Sequence, residues 1–224
     1  MNKHQIIEML EYSGLAYSNS YNKFDDKNIY FINDKITDVQ CYLRKKSHTL
    51  TIAFRGSDSK KDWLMDFKFW RQVVPYGNFK SKIKMHSGFL NAYKSKSVRQ
   101  KIWSFITDDI SNIFITGHSY GAALAIVCAT DLEYNFKNKD YEVILFGCPR
   151  VGNNAFKESY NKRIFKTIRI ENQNDIVPKV PFKFLGYRHV GAKIHIGEKK
   201  FLGFPSFKEH NITKYYSNIW NFIC

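Results

Sequence analysis

Apolar residues along this chain fall into two rhythms, short continuous runs and three-to-four-residue spacing, which take turns. Residues 3–17 carry Ile6, Ile7, Leu10 and Leu15 near one face of a helix. Two strand-like runs follow at 38–45 and 49–55, and the second, Thr49 to Phe54, stops abruptly at Arg55-Gly56-Ser57. From 88 to about 110, Phe89, Ala92, Tyr93, Ile102, Phe105 and Ile106 recur at helical spacing. Asn112 to Thr116 is short, apolar and β-branched, as suits a strand buried on both faces. Helix is expected again from Ala122 to about Tyr134, then strand from Tyr141 to Phe146, closed by Gly147-Cys148-Pro149. A helix over 153–162, a strand over 164–171 and a Pro-punctuated loop over 173–181 come next, then a strand pair around 188–202 and a last helix near 209–222. Strand and helix in alternation predict an α/β fold, a mostly parallel central sheet flanked by helices. No repeat, low-complexity stretch or Pro/Gly/Ser linker divides the chain, so residues 1–224 read as a single domain.

Composition changes this picture little. Apolar content of 44% beside 25% charged residues is ordinary for a folded domain, and 17% aromatic residues is high. The net charge of +15 is compatible with nucleic acid, an anionic membrane surface or plain solubility. The lysines are scattered and no nucleic-acid module is visible, so no nucleic-acid partner is expected. Met1 to Tyr17 contains Lys3, His4, Glu8 and Glu11 and lacks the apolar core of a signal peptide. No stretch reaches the roughly 18 uncharged apolar residues that span a bilayer. The expectation is a soluble, cytoplasmic protein. Cysteines 41, 128, 148 and 224 have neither metal-site nor redox-pair spacing and read as buried thiols.

The chemistry begins at Gly117-His118-Ser119-Tyr120-Gly121, a Gly-x-Ser-x-Gly motif. Three fixed letters are weak by themselves; the setting strengthens them. The motif follows a buried strand and opens a helix, the strand–turn–helix context of a nucleophile elbow. Small residues, Gly117, Gly121, Ala122, Ala123 and Ala125, suit a strained turn and a slim helix start, and the helix N-terminus favours a developing oxyanion. A serine nucleophile needs a base, and the base needs an orienting acid, in the chain order Ser, Asp or Glu, His for this fold. The downstream aspartates are Asp131, Asp140 and Asp175; Asp175 is preferred because it follows a strand at the carboxyl edge of the sheet. The downstream histidines are His189, His195 and His210. Position favours His210, at the entry to the last helix, with His189 as the competitor.

These segments together resemble the fungal-type (class 3) lipases of the α/β-hydrolase superfamily, from about residue 36 to 216. The likeness rests on Phe54-Arg55-Gly56-Ser57, Asp62-Trp63-Leu64-Met65-Asp66, His86-Ser87-Gly88-Phe89-Leu90-Asn91-Ala92-Tyr93 and Thr116 to Ala125. It continues through Phe146-Gly147-Cys148-Pro149-Arg150-Val151-Gly152, Asn174-Asp175-Ile176-Val177-Pro178, Tyr187-Arg188-His189 and a closing His210 before Tyr215. The resemblance implies an α/β-hydrolase fold and a triad of Ser119, Asp175 and His210, with His189 a non-catalytic neighbour. It implies an oxyanion hole at Ser57, completed by the backbone N–H of Tyr120. Two positions depart from the family pattern: Tyr120 replaces a leucine and Ala122 a glycine.

Residues 58–70 stand where the family has its lid. Trp63, Phe67 and Trp70 share one helical face with Leu64 beside them, opposite Lys60, Lys61 and Lys68. Such a short helix suits a lipid–water interface; its bland counterpart is a surface helix packed permanently on the core. The resemblance thus implies a serine-dependent lipase cleaving fatty-acyl esters, needing no metal or organic cofactor. The alternatives are a phospholipase or lysophospholipase on the same scaffold and, from another class, a non-catalytic lipid- or membrane-surface-binding protein. The expected partners are a lipid ester substrate and peripheral contact with an anionic lipid surface, with no obligate protein partner.

Overall fold

The computed structural model describes residues 2–17, 28–57, 70–75, 78, 80–198 and 204–223. Helix α1 (Lys3–Leu15) opens on a capping box in which Asn2 accepts from the Gln5 N–H and the Gln5 side chain accepts from the Asn2 N–H. Strands β1 (Ile29–Asp34), β2 (Val39–Lys46) and β3 (Thr49–Phe54) form an antiparallel meander. A small pair, β4 (Arg71–Val73) and β5 (Lys84–His86), leads into helices α2 (Ser87–Tyr93) and α3 (Lys96–Trp103). Strand–helix alternation then takes over: β6 (Asn112–His118), α4 (Tyr120–Asn135), β7 (Asp140–Phe146), α5 (Asn154–Arg163), β8 (Thr167–Asn172), β9 (Ala192–Ile196) and α6 (Ile212–Ile223).

The main sheet has the order β1-β2-β3-β6-β7-β8-β9, and every pairing from β3 to β9 is parallel. A mostly parallel sheet must be covered on both faces, because its crossovers place helices there. The core divides accordingly. Ile52, Val143 and Leu145 point into a large cluster with α2, α4 and α5, whereas Ala53, Ile144 and Phe146 point to a second cluster with α1 and α6. Helix α4 is apolar nearly all round, with Gly121 to Ala129 buried, as expected of a helix enclosed by its neighbours. Truncating a core residue such as Leu124 to alanine costs about 2–5 kcal/mol in sites of this kind. α1 is pinned to mid-sheet by Ser13, whose hydroxyl lies 2.9 Å from that of Thr116 on β6.

Several elements differ from the sequence reading for local reasons. β1 is an edge strand with only Ile32 and Asp34 buried, so it has no apolar run to announce it. The single helix expected over 88–110 is broken at Ser95, which takes an extended conformation (ψ 134°) within the polar stretch Lys94-Ser95-Lys96-Ser97. β9 is not one arm of a hairpin but a parallel edge beside β8, and 199–203 lie outside the described residues. The last helix is preceded by a separate 3-10 turn, Phe207–His210, with an extended residue, Asn211, between the two. Among the described residues no helix is long and apolar enough to cross a membrane.

Candidate active site

Ser119 occupies the one-residue corner between β6 and α4, at φ 61° and ψ −127°. A side-chain-bearing residue takes this conformation only where its surroundings impose it. The constraints are visible on both sides: the Ser119 N–H donates to the Phe146 carbonyl of β7 (3.0 Å), and its own carbonyl accepts from Ala122 N–H (3.0 Å). Close packing explains the flanking glycines. A Cβ on Gly117 would stand 2.5 Å from the Gly121 carbonyl carbon, and one on Gly121 would stand 2.3 Å from the Phe54 oxygen. Ala122 is fully buried in the large core, which accommodates its extra methyl.

Asp175 lies beyond β8, where its N–H bonds the Asn172 carbonyl (2.9 Å) and a bridge to Ser206 brings the carboxyl-terminal segment alongside. Its Oδ1 accepts from the Val177 N–H (2.8 Å). Its Oδ2 accepts from the Tyr215 phenol (2.6 Å) and pairs with His210 Nδ1 (2.7 Å). Facing a carboxylate, Nδ1 carries the proton, which leaves Nε2 as the basic nitrogen. His210 is wholly buried, and its Nε2 has no hydrogen-bond partner among the described residues. The ring rests beside the elbow: Gly147, next to the Phe146 that bonds Ser119, has φ 57°, and a Cβ there would fall 2.7 Å from His210 Cε1. His118, the residue before Ser119, stacks on His210 with ring centroids 4.5 Å apart and planes 26° from parallel. Burial and the Asp175 charge hold the Tyr215 phenol well above its ordinary pKa, so it stays a donor.

Ser57 lies three residues beyond β3, partly buried, on the segment whose Phe54 and Arg55 carbonyls press against Gly121. Tyr120 is the first residue of α4, where backbone N–H groups have no intrahelical acceptor and the helix dipole is positive. The Tyr120 ring packs against Phe89 of α2 with centroids 5.7 Å apart, the place where the family's leucine would sit.

The remaining candidates lie elsewhere. His189 is held by the Pro178 carbonyl at its Nε2 (2.7 Å), and burial with the Arg169 and Arg150 charges lowers its pKa well below the ordinary value. His195 lies on β9 opposite Glu171 in register. Asp131 is bound by Tyr93, Arg99 and Trp103, and Asp140 pairs with Lys166. Of the lid residues, Trp63, Leu64 and Phe67 lie outside the described residues; Trp70 is described and is 72% exposed. Tyr215 and His118 stand in the reading of the sequence only as landmarks, because neither has a local signal. A tyrosine five residues after a histidine and a histidine beside a serine acquire a role only through the fold.

Comparison with known proteins adds to this geometry. A sequence model of the family described as Lipase (class 3) matches residues 51–185. The chain is 32% identical over 178 residues to phospholipase A1-Igamma2 of Arabidopsis thaliana, covering 66% of this chain and 34% of that protein. It is 32% identical over 156 residues to a lipase of Rhizomucor miehei, covering 66% of this chain and 42% of that one. Among the first such relatives the chain spans about a third to a half of their length. Among solved structures, the lipase of Rhizopus microsporus var. chinensis superposes with a TM-score of 0.77 at 26% identity, covering 94% of this chain and 87% of that chain. A triacylglycerol lipase whose catalytic centre is a serine protease triad superposes with a TM-score of 0.73 at 25% identity, covering 87% and 80%.

Proposed function

Because the chain belongs to the class 3 lipase family, we propose that it is a serine-dependent carboxylic ester hydrolase that cleaves fatty-acyl esters, acylglycerols first. The observation that carries the reading is the buried Asp175–His210 pair, its basic Nε2 turned from the acid, beside a serine in a forced backbone conformation. Nε2 of His210 takes the Ser119 hydroxyl proton as Oγ attacks the ester carbonyl. Backbone N–H groups at Ser57 and Tyr120 receive the oxyanion. Collapse expels the alcohol, which leaves with the proton from His210, and the acyl group stays on Ser119. Water repeats the sequence and releases the fatty acid. Asp175 keeps the imidazole in one tautomer and balances its charge in the transition state.

A lipid substrate is supported by large aromatic side chains standing in solvent near the carboxyl edge of the sheet. Phe184 is 82% and Phe204 90% exposed, Trp70 is similarly bare, and Phe182 stacks on Phe184. Exposed aromatic groups suit an interface that is apolar on one side. With the +15 charge, peripheral contact with an anionic lipid surface belongs to the same proposal. So does a cytoplasmic location, with which the free, buried Cys41, Cys128 and Cys148 are compatible; cell fractionation tests it. The phospholipase reading draws on the charge and on the likeness to a phospholipase A1.

The test is a chain-length series of p-nitrophenyl esters, with triolein and phosphatidylcholine, on wild type and Ser119→Ala. Removal of the hydroxyl is expected to lower kcat by roughly 10⁶-fold. Full activity in the alanine variant overturns the proposal. Equal turnover of acetate and long-chain esters, with no rise at an emulsion surface, removes the lipid substrate, and faster turnover of phosphatidylcholine than triolein reverses the order of the two lipid readings.

A further inference from the structure

Tyr17 lies two residues past the end of α1, its N–H bonded to the Gly14 carbonyl (3.0 Å), and its phenol reaches into the site from the opposite end of the sequence. The Tyr17 Oη stands 2.8 Å from His118 Nδ1, and the two rings pack with centroids 5.9 Å apart. The same oxygen lies against the backbone of Gly56, the residue before Ser57. The approach is tight: a Cβ on Gly56 would fall 1.9 Å from Oη.

We infer that Tyr17 is a positioning residue of the hydrolytic site, linking the oxyanion segment at Gly56-Ser57 to the His118 ring on which His210 is stacked. A phenol has one proton. In the inferred arrangement that proton goes to Nδ1 of His118 across the 2.8 Å contact, so His118 carries its own proton on Nε2 and is neutral. Burial raises the Tyr17 pKa, which keeps the phenol protonated. Neutrality matters because His210 becomes positive in the transition state, and a second cation 4.5 Å away opposes that charge. Among the groups around His118 are Tyr17, itself near the Arg55 charge, and His210 and Tyr215 with their partner Asp175. A single hydroxyl therefore sets the register of the oxyanion donor and the charge of the ring under the base.

The inference rests on the hydrolase reading, and the experiment separates the two. Tyr17→Phe keeps the ring and deletes the hydrogen bond to His118 together with the oxygen that lies against Gly56. Rates are taken per active site, counted by titration with a serine-reactive phosphonate, and the His118 ring nitrogens are followed by ¹⁵N NMR in wild type and variant. The expected result is a fall in kcat of about 10-fold, smaller than the roughly 10²-fold for an oxyanion donor lost outright, with KM and Tm little changed. His118 Nδ1 is expected to be the unprotonated nitrogen in wild type and to lose that single-tautomer signature in the variant. Unchanged kcat per site in Tyr17→Phe overturns the inference, as does a rate loss fully accounted for by fewer titratable sites, or a wild-type His118 protonated on Nδ1. Absence of Ser119-dependent turnover in the wild type instead sinks the hydrolase reading itself.

Discussion

Asp131 and Asp175 are each gripped by the hydroxyl of a fully buried tyrosine, at 2.9 Å from Tyr93 and 2.6 Å from Tyr215. Beyond that they diverge. Asp131 also accepts Nε and Nη2 of Arg99 (2.9 and 2.7 Å) and the indole N–H of Trp103 (2.9 Å), with the guanidinium lying over the Trp103 ring. A permanent cation neutralises its charge, and donors occupy both oxygens. Asp175 has instead a backbone N–H, the phenol and the imidazole of His210. The first carboxylate joins α2 and α3 to α4 and holds structure. In the proposed mechanism the second gains its counter-charge only when His210 takes the serine proton. The lesson is that burial and a tyrosine are common to both acids; what separates them is the third partner, a guanidinium or an imidazole.

Substituting the two acids separates the roles most sharply. Asp175→Asn is expected to lower kcat by about 10⁴-fold, because an amide no longer selects the Nδ1-protonated tautomer; steady-state rates on a p-nitrophenyl ester measure it. Asp131→Asn is expected to leave kcat per titrated site unchanged and to lower stability by about 2 kcal/mol, since Arg99 loses its counter-charge but remains partly exposed. Thermal unfolding should then show a Tm lower by roughly 4–8 °C. If Asp131→Asn cripples turnover while Asp175→Asn does not, the assignment of acid roles is reversed.

The tyrosines sharpen the same contrast with smaller effects. Tyr93→Phe deletes the hydrogen bond to Asp131, and Tyr215→Phe deletes the one to Asp175 and the one accepted from the Asn172 N–H, each worth about 1 kcal/mol in stability. Only Tyr215→Phe is expected to reduce kcat as well, by about 10-fold, on the scale of one lost transition-state hydrogen bond. Equal kinetic effects in the two variants would erase the distinction.

A pH experiment closes the series. His189 has a depressed pKa in the folded protein, so protons bind the unfolded chain more readily once pH falls below the ordinary histidine value near 6.5. Its contribution is present above that pH and is lost as pH falls toward the folded value, amounting to about 1 kcal/mol by pH 5.5. His189→Gln should flatten this part of the stability–pH curve, read by denaturant unfolding at pH 7.5 and 5.5, while leaving turnover largely intact. A variant curve parallel to wild type would place the charge-sensitive group elsewhere.

Much of the architecture is legible in the sequence because it depends on neighbours along the chain. Continuous apolar runs announce β6 and β7, small residues after Ser119 announce the elbow, and the order Ser119, Asp175, His210 agrees with the sheet that forms. What has no local signal is missed: β1, whose inner face is too short, and the break at Ser95 inside an apparently continuous helix. The sequence offers three histidines and three aspartates after Ser119, and what joins His210 to Asp175 is a contact between positions 35 residues apart. Tyr17 and His118 meet across 101 residues, and Tyr215 reaches Asp175 across 40. By itself the sequence determined most of the secondary elements, their alternation and the strand–turn–helix setting of Ser119, since periodicity and turn chemistry act over a few residues. Only the tertiary structure decided which proton donors surround each charge, because that depends on strand order and on distances of a few ångströms that no local pattern encodes.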